Sequence, residues 1–221
     1  MLSEIGIFAN LGKAELSSLE TACHAESYKK RNAIFSEGDP ADWLFILLKG
    51  KVKITKLSNE GKELILEMIS PPDFFGGLAV VKGFPYPANA VAIEDCEILK
   101  MPKSAFLKTI EKHPDMTVKM LGNLIERVRA SHENMKNIAL EKVDSRIAYT
   151  LVKLADKYGV KKKEGILLDT KVTKQELADM VGTTVETTIR IMSKFKKSGY
   201  LDDTDGKILI KKIDVLKDFT A

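Results

Sequence analysis

The chain has 221 residues, a net charge of +4, and 44% hydrophobic and 30% charged residues, a composition typical of a folded globular protein and not of a disordered one. No apolar run has the length of a membrane span and no signal peptide is recognisable, so we expect a cytoplasmic protein without a membrane partner. The two cysteines, Cys23 and Cys96, are too few for a disulfide framework.

The positive charge is unevenly distributed along the chain. Residues 1–138 hold 18 basic and 18 acidic side chains, whereas residues 139–221 hold 17 basic and 13 acidic ones. The whole excess therefore lies in the last third of the chain. This asymmetry favours a C-terminal domain that meets an anionic partner, although a basic solvated surface would give the same counts.

The first half of the chain changes its hydrophobic pattern at about residue 28. Residues 1–27 carry apolar positions at roughly helical spacing, which predicts one or two short helices. From there to residue 102, short apolar or alternating segments such as Lys51–Thr55 are separated by turns rich in Gly and Pro. This pattern predicts an antiparallel β-roll, a double-stranded β-helix of the jelly-roll kind, over residues 28–102.

Helical periodicity returns at Lys103, and Pro114 is well placed as the first residue of a long helix. A further helix is expected from Ala139 to Lys157, followed by a loop. The long helix has a heptad repeat, which predicts that two copies pair into a homodimer; the alternative is that this face packs on the roll. The repeat comprises Leu121, Leu124, Val128, Ser131, Met135 and Ile138.

The C-terminal third predicts a winged helix-turn-helix. Thr173 and Glu176 form a capping-box pattern at the start of a short helix, and Gly182 permits a tight turn. Thr184 is a candidate N-cap for the second helix. Residues 201–210, interrupted by Asp205 and Gly206, predict a β-hairpin, the wing. The inward face of the second helix is expected to comprise Thr188, Ile191, Met192 and Phe195.

The other face of this second helix has residues suited to reading DNA. Glu186 can accept a hydrogen bond from cytosine N4, and Arg190 can donate two to guanine. These residues lie four apart and share a helix face, although an ordinary exposed ion pair would do the same. Valine and isoleucine suit thymine methyl groups, while lysine and helix N-termini suit phosphates. The predicted DNA contacts are Thr173, Thr184, Val185, Glu186, Ile189, Arg190 and Lys194.

Three stretches together resemble the Crp/Fnr superfamily of bacterial transcription regulators over nearly the full length. EGDPADWLFILLKGKVKI, NEGKELIL and FFGGL resemble that family's β-roll, NIALEKVDSRIAYTLVKLA the exit from its dimerisation helix, and VTKQELADMVGTTVETTIRIMSKFKKSGYL its helix-turn-helix. The resemblance implies an α+β chain with three parts: an effector-sensing roll (1–110), a dimerisation helix (111–138) and a winged helix-turn-helix (139–221). It also implies a homodimer on a palindromic operator, with RNA polymerase as a further partner.

The recognition segment VETTIR is closer to the VETISR pattern of the fumarate–nitrate type than to the RETVGR pattern of the catabolite activator. Val185 stands where the latter has Arg, and Ile189 departs from both patterns. The resemblance therefore implies a TTGA-like half-site.

The effector-binding pattern of the family argues against cyclic AMP. Its acidic position falls on Gly77, and its Arg-Ser pair, whose Arg meets the cyclic phosphate, falls on Tyr86 and Pro87. No basic residue lies between Gly83 and Val91, so the phosphate lacks a charge partner. The nucleobase-contacting pair falls on Ser131 and His132. The expected pocket residues are Gly76, Gly77, Leu78, Tyr86, Pro87, Ser131 and His132.

Other effectors can be weighed from the same residues. Two cysteines cannot hold an iron–sulfur cluster. Haem, sensing a diatomic gas, is a candidate with His132 as the ligand, although a surface or interface histidine is the simpler interpretation. An apolar or aromatic small molecule is another candidate, since aromatic residues cluster around the loop, although they could equally be roll core. That cluster comprises Phe74, Phe75, Leu78, Phe84 and Tyr86.

Two other classes of function are less well supported. A jelly-roll metal enzyme needs clustered histidine and carboxylate ligands, and residues 28–102 contain no histidine. We therefore predict that the protein is not an enzyme and has no metal site. A ligand-sensing module that acts on a protein partner without touching DNA is the remaining alternative, and the basic C-terminal third argues against it.

Overall fold

A computed structural model describes residues 2–204 and 206–219, so Asp205, predicted in the turn of the wing, lies outside the described residues. The chain forms two compact units, an N-terminal unit (Met1–Arg129) and a C-terminal unit (Ala130–Ala221). Within the described part of the chain, no helix is both long and apolar enough to cross a membrane.

The N-terminal unit is a β-roll of two four-stranded sheets with helices before and after it. All strand pairs are antiparallel, and the strand orders are β1-β8-β3-β6 and β2-β7-β4-β5. Two short 3-10 turns precede the first helix. The strands are β1 His24–Tyr28, β2 Ala33–Phe35, β3 Trp43–Lys49, β4 Val52–Leu57, β5 Glu63–Ile69, β6 Asp73–Phe75, β7 Asn89–Ala92 and β8 Cys96–Pro102, and the helices are α1 Lys13–Ala22, α2 Gly77–Lys82, α3 Lys103–Lys112 and α4 Pro114–Leu140.

One continuous core joins the two sheets. Strand β3 lies between β8 and β6, and its residues Leu44–Leu47 are all buried, which explains why the sequence there is an unbroken apolar run. The same core includes Val52 and Ile69 from the other sheet. The predicted roll and the long helix starting at Pro114 are therefore confirmed.

One local prediction in this unit was wrong, and one helix was not predicted. Residues 24–27, expected to be helical, belong to strand β1 (His24–Tyr28), which pairs with β8 along its whole length. Four of these five side chains are exposed, so an edge strand of this kind leaves no hydrophobic alternation to detect. Helix α2 was not expected either; it lies between Gly76 and Gly83, which both adopt the left-handed conformation (φ 80° and 75°) that glycine permits.

The C-terminal unit combines the end of α4 with four further helices and a four-stranded sheet of order β11-β12-β10-β9. Its core includes Leu151, Leu177, Phe195, Ile210 and Leu216. The helices are α5 Val143–Tyr158, α6 Lys174–Val181, α7 Val185–Lys197 and α8 Ile213–Asp218, and the strands are β9 Gly159–Lys162, β10 Gly165–Leu168, β11 Leu201–Thr204 and β12 Lys207–Ile210.

This arrangement confirms the two short helices and the wing strands β11 and β12, but not the loop expected after α5. That segment forms a hairpin, in which β9 pairs with β10 and β10 pairs with β12. All four residues of Gly159–Lys162 are exposed, and the pairing of β9 depends on a partner strand that itself docks on the wing. A lysine-rich edge strand therefore has the same sequence pattern as a loop.

Candidate nucleic-acid interface and effector cavity

Both helices of the helix-turn-helix begin at a side-chain N-cap, and the cap of α6 is reciprocal. At the start of α6 the Glu176 N–H donates to Thr173 Oγ1 (3.1 Å), and the Thr173 N–H donates to Glu176 Oε2 (2.7 Å). Helix α6 ends at Gly182, which has a left-handed φ of 65°. Helix α7 begins where the Thr187 N–H donates to Thr184 Oγ1 (3.3 Å). The predicted capping box, turn glycine and N-cap therefore all form.

Helix α7 has the two faces that its sequence indicates. The inward face is fully buried at Thr188 and Phe195, and the Thr188 hydroxyl donates to the Thr184 carbonyl (3.1 Å). On the outward face Glu186 and Arg190 are exposed, and Ile189 is 49% exposed. Ile191 and Met192 are also buried, and Val185 is half-buried at the first turn.

Acidic residues of strand β11 form ion pairs with lysines of the neighbouring elements. Asp202 accepts from Lys196 of α7 (2.8 Å) and from Lys211 (2.9 Å). These hydrogen bonds hold the pKa of Asp202 well below its usual range, and the one from Lys196 has the larger effect. Asp203 lies 3.7 Å from Lys174 at the start of α6. The wing strand is thus tied to both helices through charge, in addition to the apolar core.

Lys194 lies on the exposed side of α7, where its Nζ is 4.0 Å from the Asp144 carboxylate and the side chain is 64% exposed. At that distance and exposure the ion pair is weak. The ammonium group of Lys194 can therefore turn to an external anion at little cost, as a phosphate contact requires.

A cavity of about 310 Å³ lies in the N-terminal unit, between the roll and the first half of α4. All five of the roll residues that were expected in the pocket line it. The other two, Ser131 and His132, are exposed on α4 and are not among the lining residues. The walls consist of Phe35, Ile54, Glu67, Phe74, Phe75, Gly76, Gly77, Leu78, Ala79, Val81, Tyr86, Pro87, Ala88, Ile110, Thr117, Met120, Leu121, Asn123, Leu124 and Arg127.

The aromatic wall of the cavity is formed by stacked rings, and the Tyr86 hydroxyl in it is already hydrogen-bonded. The rings of Phe35 and Tyr86 stack with centroids 3.9 Å apart. The Tyr86 hydroxyl donates to the Trp43 carbonyl (2.6 Å) and accepts from the Trp43 N–H (3.2 Å). Burial raises the pKa of Tyr86 to about 12. Tyr86 therefore presents a ring to the cavity, because its polar atom is already occupied by the backbone.

Sequence reasoning missed Arg127, the basic residue at this cavity. Its Nη1 lies 3.3 Å from Glu67 Oε2, and its Nη2 lies 3.3 Å from Asp73 Oδ2 and donates to the Phe74 carbonyl (3.1 Å). The guanidinium also lies 5.8 Å from the centre of the Phe74 ring. Helical spacing could have placed it, since Arg127 follows Leu124 by three residues and so shares its face.

The exposed apolar stripe of α4 has a different register from the predicted seam. Leu121, Val128, Met135 and Ile138 are exposed as expected, but Leu124 is half-buried and lines the cavity. Val118 and Ile125 are exposed instead. A 3-4 spacing therefore runs along one exposed face through Val118, Leu121, Ile125, Val128, His132 and Met135.

Among the described residues there is no group of three or more His, Cys, Asp or Glu side chains that could hold a metal ion. His132, the candidate haem ligand, is exposed on α4 and does not line the cavity.

A ligand-sized cavity in a roll, followed by a winged helix-turn-helix, defines a class of DNA-binding transcription regulators. Known proteins share both parts. The cyclic nucleotide-binding domain family matches residues 25–113, and the Crp-like helix-turn-helix domain family matches residues 145–219. The chain belongs to the Crp/Fnr family of transcription regulators.

Two relatives illustrate this membership, and one solved structure shares the fold. The cAMP-activated global transcriptional regulator CRP of Pasteurella multocida is 30% identical over 190 residues, 85% of this chain and 90% of that protein. The CRP-like cAMP-activated global transcriptional regulator of Mycobacterium tuberculosis is 26% identical over 210 residues, 95% of this chain and 94% of that protein. The fold of FixK2 from Bradyrhizobium japonicum matches with a TM-score of 0.80 at 21% identity, covering 90% of this chain and 98% of that one.

Proposed function

We propose that the protein is a homodimeric regulator that reads a palindromic, TTGA-like DNA operator with helix α7 of each copy. The observation that carries the proposal is the outward face of α7. Glu186, Ile189 and Arg190 are exposed there, while the opposite face is anchored in the core by Phe195. Such a helix can enter the major groove while its inward face stays packed in the core. Glu186 can then accept from a cytosine, and Arg190 can donate to a guanine.

The exposed stripe on α4 supports pairing with a second copy. It includes Leu121 and Met135, which are 55% and 63% exposed, and their 3-4 repeat is that of a coiled-coil seam. A twofold dimer places two recognition helices on half-sites about one DNA turn apart. A homodimer is therefore the assembly in which a palindrome is read symmetrically.

The cavity of the N-terminal unit supports control by a small molecule, and its residues argue against cyclic AMP. Gly77 and Pro87 stand in the wall where cyclic-AMP-binding members carry acidic and polar side chains. An effector acts by binding one state of the dimer more tightly than the other. RNA polymerase, by analogy with the family, would then receive the signal, and the setting would be the cytoplasm.

The experiment is selection from a random palindromic DNA library, followed by anisotropy titrations with variants. Glu186→Ala and Arg190→Ala should each lose about 1–3 kcal/mol of discrimination at one base pair of the half-site. Lys194→Ala should weaken binding to all sequences alike and lower the salt dependence by about one counterion. Glu164→Ala, in the exposed turn of the β9–β10 hairpin, is the control and should leave the base preference unchanged. Unaltered base preference in both Glu186→Ala and Arg190→Ala would refute the assignment of α7.

A further inference from the structure

The walls of the cavity in the N-terminal unit differ in kind from those of a site for a charged nucleotide. Its volume of about 310 Å³ falls at the lower end of the range for small-molecule sites. Most of its lining is aromatic or aliphatic, contributed by the roll on one side and by Met120, Leu121 and Leu124 of α4 on the other. A ligand that fills this space gains chiefly by removing apolar surface from water.

The charged residues of the cavity discriminate between neutral and anionic ligands. Among the residues described, Arg127 is the only basic side chain that lines the cavity. Two carboxylates already face it, with Glu67 Oε2 and Asp73 Oδ2 each 3.3 Å away. The three groups together carry one net negative charge. An anionic ligand would have to displace a carboxylate from Arg127 and would then lie beside that carboxylate in a partly buried site.

We propose that the effector is an uncharged molecule with a largely apolar body, bound in this cavity against the ion cluster of Arg127, Glu67 and Asp73. The inference rests on the proposed function in one respect, namely that a small effector acts on the N-terminal unit. A neutral ligand leaves the cluster intact and pays no cost for burying a charge. Hydrogen-bonding groups of the ligand can meet Thr117 or Asn123, which also line the cavity.

The same geometry gives such a ligand a means of acting on α4. Arg127 belongs to α4, while its partners Glu67, Asp73 and the Phe74 carbonyl belong to β5 and β6. A ligand in the cavity contacts that helix through Leu121 and Leu124 and contacts the roll at the same time. Its affinity therefore depends on where α4 lies against the roll, which is what an effector needs to favour one state.

The test uses two fluorescent probes that share one skeleton. N-phenylnaphthylamine is neutral, and anilinonaphthalene sulfonate adds a single anionic group. We expect the full-length protein, without DNA, to bind the neutral probe with one site per chain and to bind the sulfonate about tenfold more weakly, which corresponds to about 1.4 kcal/mol. Equal or tighter binding of the sulfonate, or no saturable binding of the neutral probe, would overturn the proposal.

Two sets of variants locate the probe and test the role of charge. Glu67→Gln leaves Arg127 one carboxylate short, so the affinity for the sulfonate should rise about tenfold while that for the neutral probe stays the same. Glu63→Gln is the matched control, because Glu63 lies on the same strand, is paired with Lys53 and does not line the cavity. An equal rise in Glu63→Gln, or none in Glu67→Gln, counts against the proposal.

Ala88→Leu and Thr117→Phe fill the cavity from opposite walls and should each weaken binding of the neutral probe about tenfold or more, with the far-UV circular dichroism spectrum unchanged. Two cavity-filling variants are used so that, if one of them fails to fold, probe binding can still be measured in the other. Binding that survives both fillings lies elsewhere and overturns the proposal. Because these titrations contain no DNA, their failure is distinct from a failure of operator binding.

Discussion

The helix-turn-helix and the cavity of the N-terminal unit are built in opposite ways. The first lies within residues 173–197, one continuous stretch whose caps and turn are short-range. The cavity draws its walls from Phe35 through Arg127, on β2, β4, β5, β6, α2, α3 and α4 and on the loop before β7 that holds Tyr86. A site made from one continuous stretch can be recognised from its sequence pattern. A site made from many separate elements forms only when those elements pack together.

The two regions also use charge differently. On α7 the outward Glu186 and Arg190 are exposed and available to groups outside the protein. At the cavity Arg127 is held between Glu67 and Asp73. An exposed charge can meet a partner, while a charge held in an ion cluster mainly positions structure. Charged side chains are therefore exposed on the outward face of α7, whereas Arg127, the one basic residue among the described residues of the cavity wall, is already paired.

The largest expected effect tests whether the two regions are energetically separate. Phe195 is fully buried and packs on the rings of Tyr200 and Phe219, at centroid distances of 6.1 and 5.3 Å. Phe195→Ala should lower the free energy of unfolding of the C-terminal unit by about 3–5 kcal/mol, because it removes contacts and leaves a void. Urea unfolding followed by circular dichroism measures this loss, and N-phenylnaphthylamine fluorescence reports on the N-terminal unit.

Ser193→Ala, an exposed position on the same helix, is the control for Phe195→Ala and should change the free energy of unfolding by about 0.5 kcal/mol or less. The probe should remain bound in Phe195→Ala while the C-terminal unit unfolds. Simultaneous loss of both signals would show one cooperative molecule and would contradict the division into separate units.

The next effect concerns a long-range contact in the roll. Gly50 has a left-handed φ of 86°, and a Cβ there would lie 2.4 Å from the Asp95 carbonyl oxygen and 2.7 Å from Cys96 Sγ. Gly50→Ala should cost on the order of 3 kcal/mol, since it adds steric overlap with the β8 backbone to conformational strain. Thermal unfolding of the N-terminal unit is the measurement.

Gly61 provides the matched comparison for Gly50. Its φ is also left-handed (77°), but nothing lies within 4 Å of a Cβ built there. Gly61→Ala should therefore cost only the backbone strain, about 1 kcal/mol. Equal losses in the two variants would mean that the close approach of Gly50 to β8 carries no energetic weight.

How far the sequence predicts this molecule follows from the range of the interactions. The capping box of Thr173 and Glu176, the turn at Gly182 and the inward Phe195 were predictable, because each depends on residues within about one helical turn. The roll was predictable as a class, since the buried strand β3 and the glycine-rich turns have strong local patterns. These features define the family as well as the fold.

Several of the features that were missed depend on distant partners. Strand β1 exists because β8 lies beside it, some seventy residues later in the chain, and its own sequence has no strand pattern. Arg127 matters through Glu67 and Asp73. On α4, Leu124 and Ile125 are both apolar, and a 3.6-residue period places them on adjacent faces. Only the position of the roll shows that Leu124 lines the cavity while Ile125 is exposed.

The smallest effect tests the short-range side of the comparison, the cap of α6. Thr173→Ala removes the oxygen that accepts from the Glu176 N–H, and the free energy of unfolding of the C-terminal unit should fall by about 1 kcal/mol. Thr173→Ser keeps a hydroxyl at the same position, and serine is at least as good an N-cap as threonine, so the free energy of unfolding should stay close to that of the parent protein. Urea unfolding of both variants decides the matter. If serine were as damaging as alanine, the threonine methyl and its packing, and not the cap, would be what stabilises the start of this helix.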